Sequence, residues 1–286
     1  LNAPANATVL YDVTVPAGTT ELEDYAFAHK NGNQTSQYLY SDISAGHDVT
    51  DAIYPIVKIH LPESLTKIGN YAFVNQFLLK VDLPAQLHEI GNYAFAYGSN
   101  SDFAKNGLTP DVTYTLTIPA GVTTVGEHAF QNFGYMMAID MKDTSVTSLE
   151  ENVFSGLVML QQINLPDSLT SIGKNAFSGD TALAKITVPA NVTAIGEMAF
   201  TYCSSLADIK LPNGLLSIGD HAFTSTPKLT SIIIPNTVTK LGEVQDIINT
   251  SSVFDDTVES IYYSGTAQGR PWGATNATVY PNNTGN

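Results

Sequence analysis

The sequence of 286 residues predicts a repeat solenoid, a stack of about nine 23-residue turns that lean on one another. Three observations predict this fold. Prolines recur 23 residues apart, as at Pro166, Pro189 and Pro212, and a phenylalanine follows each of them eleven residues later. Apolar and polar residues alternate just before each proline, as in a short strand with one buried face. Each unit offers about seven apolar positions, too few to enclose a core without its neighbours.

Each unit is expected to contain three elements in order. The first is the short strand, seen in the alternation of Ile163 and Leu165, which the proline ends because it has no N–H for the ladder. The second is another apolar pair, such as Leu169 and Ile172, followed in seven units by a glycine that is predicted to adopt positive φ. The third is an Ala-Phe pair, in which the small residue allows close approach and the ring fills the interior.

The phenylalanine rings are the predicted structural core of the stack. They are Phe27, Phe73, Phe95, Phe130, Phe154, Phe177, Phe200 and Phe223. A last unit opens at Pro235 but has no phenylalanine at the expected place, and an excess of residues precedes Phe254. The loss of one ring from such a stack should leave a destabilising cavity.

The composition excludes several classes of partner and site. Twelve basic residues stand against 27 acidic ones, which gives a formal net charge of −15 and disfavours nucleic acids and anionic membrane surfaces. A single cysteine, Cys203, excludes an internal disulfide framework and is interpreted as a small buried filler. No apolar run is long enough to span a bilayer. The first ten residues lack the regions of a signal peptide, so an exported protein would have its leader outside this sequence.

A family resemblance rests on the unit (I/L/V)xLPxxLTxIGxxAF, as found over residues 59–73 and 163–177. This unit resembles the BspA-type leucine-rich repeat, over roughly residues 9–265. The resemblance implies a leucine-rich-repeat-like, right-handed stack with short parallel β-strands and short helical turns. It also implies a secreted or surface-attached protein of a host-associated microbe, linked with adhesion and protein recognition and without conserved catalytic residues.

The chain is expected to form one solenoid domain over residues 1–286, with a C-terminal cap over 255–286. Three insertions interrupt the period, at about 28–54, 98–111 and 244–252. The first is either a degenerate repeat or a long loop. The first two leave the repeat just after the Ala-Phe pair, and equivalent positions of a solenoid lie on one edge, so we expect these insertions to cluster there.

Aromatic residues accompany these insertions and form the candidate binding surface, because tyrosine and phenylalanine contribute strongly to interfaces. The candidate residues are Tyr38, Tyr40, Tyr54, Tyr97, Phe103, Phe133 and Tyr135. The alternative is that these side chains only cover the edge of the solenoid. The outward side of the first strand carries mixed charges, such as Lys185, Asp208 and Lys210, and is interpreted as a solvated face.

No catalytic, cofactor-binding or metal-ligating residues are predicted. His128 and His221 share one column of the repeat but lie four turns apart, which is too far for one metal ion. Polar residues recur after the turn glycine, as at Asn70, Asn92 and Glu127. Lys174 occupies the same column, so capping of the Ala-Phe turn is preferred there to a calcium site.

The predicted function is therefore non-catalytic recognition or adhesion, outside the cell or at its surface. The expected ligand is a host-derived protein or glycan, bound through the insertion-bearing edge, with no nucleic acid, no cofactor and no insertion into a membrane. The alternative is a structural spacer in a larger surface protein. An enzyme with a loop-built site would need a deep pocket that holds a titratable group.

Overall fold

The computed structural model describes residues 11–28, 56–76, 78–98, 114–133, 136–242, 252–268 and 271–282. Within these ranges the chain forms short strands and no helix, so none of the described segments is a helix that could span a bilayer. The strands are β1 Tyr11–Thr14, β2 Glu21–Leu22, β3 Ile56–His60, β4 Lys67–Ile68, β5 Glu89–Ile90, β6 Thr115–Thr117, β7 Thr124–Val125, β8 Ala138–Asp140, β9 Ser148–Leu149, β10 Gln162–Asn164, β11 Ser171–Ile172, β12 Lys185–Thr187, β13 Ala194–Ile195, β14 Asp208–Lys210, β15 Ser217–Ile218, β16 Ser231–Ile233, β17 Lys240–Leu241, β18 Ser260–Tyr262 and β19 Thr278–Tyr280.

All strand pairs are parallel, and each unit of the repeat forms one coil of a solenoid, as predicted. The longer strands stack as β1-β3, β6-β8-β10, β12-β14 and β16-β18-β19. The two-residue strands stack as β2-β4-β5-β7 and β9-β11-β13-β15-β17. Equivalent residues face each other, for example Ile172 and Ile195, so the 23-residue period of the sequence becomes the register of the sheets.

The prediction of short helical turns is wrong. The segment that holds the Ala-Phe pair is a series of turns, and its alternate amides bond to the next coil: the Phe177 N–H donates to the Ala199 carbonyl at 2.9 Å. Residues two before and two after the phenylalanine adopt positive φ, as Asn175 and Gly179 do at 54° and 81°. An α-helix needs uniform negative φ, so this alternation excludes one.

The turn glycines do not have the predicted role either. Gly69, Gly91, Gly126, Gly173, Gly196 and Gly219 are absent from the positive-φ residues, and only Gly242 of this column has positive φ, at 67°. A β-carbon at Gly219 would lie 2.5 Å from the Glu197 backbone nitrogen of the preceding coil. The glycine is therefore required for close approach between coils, and the left-handed position lies two residues further on.

The predicted stack of rings is confirmed. Neighbouring phenylalanines pack with centroids 5.1–6.0 Å apart, as in the pair Phe177–Phe200 at 5.3 Å. Phe27 at the first coil is half-buried, whereas the rings from Phe73 onward are buried. Phe254 stacks on Phe223 at 5.7 Å and so supplies the ring of the last coil after the insertion.

The described ends of the insertions show how they interrupt the stack. The first coil pairs directly with the coil that begins at Pro62, since β1 pairs β3 and β2 pairs β4. The predicted insertion at 28–54 lies outside the described residues beyond Ala28. After the second insertion, the Tyr114 hydroxyl accepts from the Val81 N–H at 3.2 Å, where the strand ladder is interrupted.

The last described segment bonds to the coil that holds Phe254. Trp272 is fully buried, packs edge-on against Tyr263 at 5.3 Å and donates from Nε1 to the Gln268 carbonyl at 2.6 Å. Its carbonyl accepts from the Phe254 N–H at 3.0 Å. Trp272 thus anchors the last described segment to the backbone of the Phe254 coil through its carbonyl.

Candidate functional site

A column of four stacked rings runs along the edge of the first four coils. Tyr25 stacks on Tyr71 and Tyr71 on Tyr93, each with centroids 4.8 Å apart, and Tyr93 stacks on His128 at 4.2 Å. The planes are within 7° of parallel. All four side chains are half-buried. We call these four residues the edge column.

The local backbone explains why the rings stand in one line. Each ring lies two residues before the core phenylalanine, in the left-handed conformation, with φ of 62° at Tyr25 and 57° at Tyr71. Three of the rings pack on a small cluster of buried side chains, Ala28, Val74 and Ala96, outside the main core. The same backbone geometry in successive coils therefore repeats the position of the ring.

The first two insertions leave the solenoid beside this column. The described chain stops after Ala28 before the first insertion and after Gly98 before the second. Ala28 and Ala96 belong to the cluster beneath the edge column, so both departures lie on one edge. The third insertion follows Gly242, earlier in the repeat and at the far end of the stack.

Tyr97 joins the edge column to the base of the second insertion. It is half-buried, and its hydroxyl donates to Gln131 Oε1 at 2.9 Å. The same oxygen lies 2.9 Å from His128 Nδ1. Burial raises the pKa of the Tyr97 hydroxyl, which therefore stays protonated and serves as a donor. This network fixes the side chains where the insertion begins.

Five of the other predicted surface residues lie outside the part of the chain that the structure describes. They are Tyr38, Tyr40, Tyr54, Phe103 and Tyr135.

Phe133, predicted at the binding surface, lies in the core instead. It is only 2% exposed and packs against Phe95 at 5.7 Å and Phe130 at 5.9 Å. A β-carbon on Gly98 would lie 2.6 Å from its ring, so Gly98 makes room for it. Phe133 was assigned to the surface because it lies near the insertion positions in the repeat, but its column points inward, as the buried Leu157 and Cys203 show.

Sequence reasoning missed the edge column. Its signal is a Tyr-Ala-Phe triplet that occurs in three successive proline units, ending at Phe27, Phe73 and Phe95. An aromatic residue at a fixed position in consecutive repeats implies a ring stack, whatever its distance from an insertion.

The polar column after the turn glycine bonds between coils. The Asn92 N–H donates to Asn70 Oδ1 at 2.8 Å, and the Glu127 N–H donates to Asn92 Oδ1 at 2.9 Å. Each side chain thus satisfies a backbone N–H of the next coil, rather than one in its own turn. Within the described ranges no three His, Cys, Asp or Glu residues are arranged to hold a metal ion.

One acidic group is buried in the core region. Asp180 Oδ1 accepts from the Leu157 N–H at 2.8 Å, while Oδ2 is buried and has no partner within the described part of the chain. Burial raises the pKa of this carboxyl well above its ordinary value. Cys203 is also buried, as predicted, and burial raises the pKa of its thiol; its Sγ contacts the Phe177 carbonyl at 3.1 Å. These are features of packing, and neither group faces solvent.

Known proteins share both the repeat and the fold. The model of the BspA type leucine rich repeat region matches residues 2–102 and 123–245, in six copies. A leucine-rich repeat protein from Bacteroides ovatus is similar in structure, with a TM-score of 0.62 and 24% identity over 79% of this chain; the chain spans 60% of that protein's length. A leucine rich cell surface protein from Faecalibacterium prausnitzii has a TM-score of 0.54 and 23% identity, covering 91% of this chain and 73% of its own. These two likenesses show the fold alone, and no curated protein matches the sequence.

Proposed function

Because the chain belongs to the BspA-type leucine-rich repeat family, we propose that it is a non-catalytic recognition module that acts outside the cell. It binds a host-derived protein or glycan through the insertion-bearing edge of the solenoid. The Faecalibacterium protein of similar fold is described as a cell surface protein, which supports this location. The fold serves here as a scaffold, and the binding residues lie on one edge of it.

One observation carries the proposal. The first two insertions depart from the same edge as the edge column, at Ala28 and Gly98, on either side of the coil that contributes Tyr71. Loops that are held close together on a rigid scaffold are the usual location of binding residues. Half-buried tyrosines beneath them add rigid contact area with little loss of side-chain freedom.

The mechanism is preorganisation. The coils are joined by parallel ladders and by the ring stack, so the bases of both insertions are fixed in space before a ligand arrives. A ligand that contacts both insertions then orders fewer degrees of freedom than it would with two free loops. The entropy cost of ordering the insertions therefore offsets less of the favourable binding free energy.

The test is deletion of one insertion without loss of the fold. Removal of residues 100–111 takes twelve residues from the 35 between Pro84 and Pro119 and restores the 23-residue interval. The matched control removes residues 244–251. In that variant Phe254 follows Gly242 by four residues, as Phe223 follows Gly219 in the preceding unit. Both variants and the parent chain are screened against one panel of purified host extracellular proteins and glycans.

The expected result is a ligand that binds the parent and the 244–251 deletion but binds the 100–111 deletion at least tenfold more weakly. Thermal unfolding of each variant checks that the solenoid is intact. Equal binding by all three chains would contradict the proposal that the ligand binds through the insertion-bearing edge. A parent chain that binds nothing in the panel would favour the structural spacer.

A further inference from the structure

A second exposed apolar surface lies on the outward face of the last three longer strands. Ile233 of β16, Tyr262 of β18 and Tyr280 of β19 occupy one position in register, and the rings of Tyr262 and Tyr280 stack at 5.2 Å. They are 54%, 38% and 42% exposed. We propose that this surface, which we call the strand-face patch, is a binding site for a neutral saccharide.

The patch is distinct from the surface in the proposed function. The insertion-bearing edge belongs to the first coils, whereas the strand-face patch lies on the last strands and on a different side of each coil. On the preceding strands the same column is polar, with Asn164, Thr187 and Lys210. This column therefore changes from polar to apolar side chains only on the last described strands. A uniformly solvated strand face, as predicted from the sequence, does not explain that change.

Hydroxyl groups lie beside the apolar column. Two residues earlier on the same strands are Ser231, Ser260 and Thr278, which are also in register. Side chains at alternate positions of a strand point to the same face, so this hydroxyl column runs parallel to the apolar one. A ligand that covers both columns meets an apolar surface on one side and hydroxyl donors and acceptors on the other.

A shallow cavity continues the patch toward the preceding coil. It has a volume of about 400 Å³ and lies between β14 and β16, which belong to separate sheets among the described strands. Its polar lining side chains are Asp208, Lys210, Asn213, Ser231 and Asn282. Ile209 and Ile232 also line it, and since their side chains are buried in the core, they present backbone groups.

The chemistry of these groups favours a saccharide. A pyranose has an apolar C–H face, which fits the apolar column, and equatorial hydroxyls, which fit the serine, threonine and asparagine side chains. One lysine and one aspartate line the cavity, so its formal charge is balanced and selects neither an anion nor a cation. The cavity volume falls in the range of about 300–1,000 Å³ that is typical of small-ligand sites.

The size of the patch argues against a protein partner. A stable protein interface needs roughly 800 Å² on each side, with about 20 or more residues. The strand-face patch offers three large apolar side chains, and the strands beside it are polar. Three apolar side chains next to a small polar cavity match one or two sugar rings better than a protein surface.

The test uses saturation-transfer NMR on the intact chain. The probes are the methyl β-glycosides of glucose, galactose, mannose and N-acetylglucosamine, and the trisaccharides cellotriose, maltotriose and chitotriose. We expect transfer to at least one probe. The double variant Tyr262→Ser, Tyr280→Ser should weaken its affinity at least tenfold, because both rings are lost, while Tyr262→Phe, Tyr280→Phe should retain binding.

Two controls distinguish loss of binding at the strand-face patch from a general loss of stability and from binding at the insertion-bearing edge. Tyr202→Ala removes a tyrosine that is 63% exposed in another part of the repeat and should leave saccharide binding unchanged. The 100–111 deletion should also leave it unchanged, so failure of the proposed function would not affect this result. The proposal is overturned if no probe binds, if the double serine variant binds as well as the parent, or if the patch binds only a protein.

Discussion

A β-carbon added to Gly196 would lie 2.6 Å from the carbonyl carbon of Gly173 in the preceding coil. The same clash would occur at Gly219, whose neighbour is the Glu197 backbone. The contact is between backbones, so no side chain can rotate away to relieve it. The column of glycines therefore sets how closely successive coils can pack.

Gly196→Ala should lower the free energy of unfolding by about 1–3 kcal/mol, since the coils must separate locally to admit a methyl group. Gly214→Ala is the matched control: it adds the same methyl group to a loop where the nearest atom, the Ala190 carbonyl oxygen, is 3.5 Å away. Urea unfolding followed by circular dichroism measures both. Equal stability of the two variants would contradict the close-approach role.

The ring stack gives a second prediction. Phe200→Ala removes a fully buried ring that packs between Phe177 and Phe223 at 5.3 and 5.5 Å. The cavity should cost about 3–5 kcal/mol. Because each coil contacts only its neighbours, the loss should also broaden the unfolding transition as the array separates into two parts. Tyr202→Ala, at an exposed position two residues away, should change stability by less than about 0.5 kcal/mol.

Periodicity in the sequence was sufficient to predict the coils and their core. A buried phenylalanine every 23 residues has one simple explanation, and the stacked rings confirm it. The position of Phe254 was not predicted, because the excess of residues before it breaks the 23-residue period. Its ring nevertheless completes the stack on Phe223.

Backbone conformation was harder to predict than burial. Glycine was expected to carry the positive φ because it does so at the lowest cost. The structure instead places positive φ at Tyr71, His128 and Met198, whose side chains give no indication of it. Bonding between coils imposes this conformation, and a single repeat read in isolation does not contain that constraint.

The candidate surfaces were predicted only in part. Position in the repeat assigned both Tyr97 and Phe133 to the surface; Tyr97 is half-buried at the base of the second insertion, whereas Phe133 is buried. The strand-face patch was missed because Tyr262 and Tyr280 lie in the divergent end of the array, where the repeat pattern is too weak to align the strands. Pairing between β18 and β19 is what places the two rings side by side.

The left-handed column gives a third prediction. Asn175 has φ of 54°, a conformation that asparagine tolerates and β-branched residues do not. Asn175→Val should lower the free energy of unfolding by about 1–2 kcal/mol. Asn175→Gly should change it by less, because glycine adopts this φ without strain but loses more entropy on folding. Chemical denaturation measures the free energy of unfolding of both variants. A valine variant as stable as the glycine variant would contradict the expected strain at this position.

The buried carboxyl of Asp180 gives a prediction about pH. Its pKa is raised in the folded state, so above the ordinary value of 3.8 the unfolded chain releases this proton while the folded chain retains it. The contribution of Asp180 to stability is therefore complete below that pH and falls as pH rises toward the folded-state pKa. Asp180→Asn keeps an oxygen to accept from the Leu157 N–H and cannot ionise. The variant should gain stability relative to the parent as pH rises from about 4 to 8.

The exposed carboxyl of Asp256 is the control with the opposite sign. Hydrogen bonds from Thr275, at 2.6 and 2.7 Å to Oδ1, lower the pKa of Asp256. Its contribution is present above the ordinary pKa and is lost as pH falls, so Asp256→Asn should be less stable than the parent at pH 7 and equal to it at low pH. Melting temperatures of the parent and both variants, measured from about pH 2 to pH 8, separate the two groups: Asp180→Asn should gain stability relative to the parent as pH rises above about 4, whereas the deficit of Asp256→Asn should disappear as pH falls below about 4. If the Asp180→Asn difference were constant across that range, the folded chain would hold Asp180 ionised, and some group must then compensate its charge.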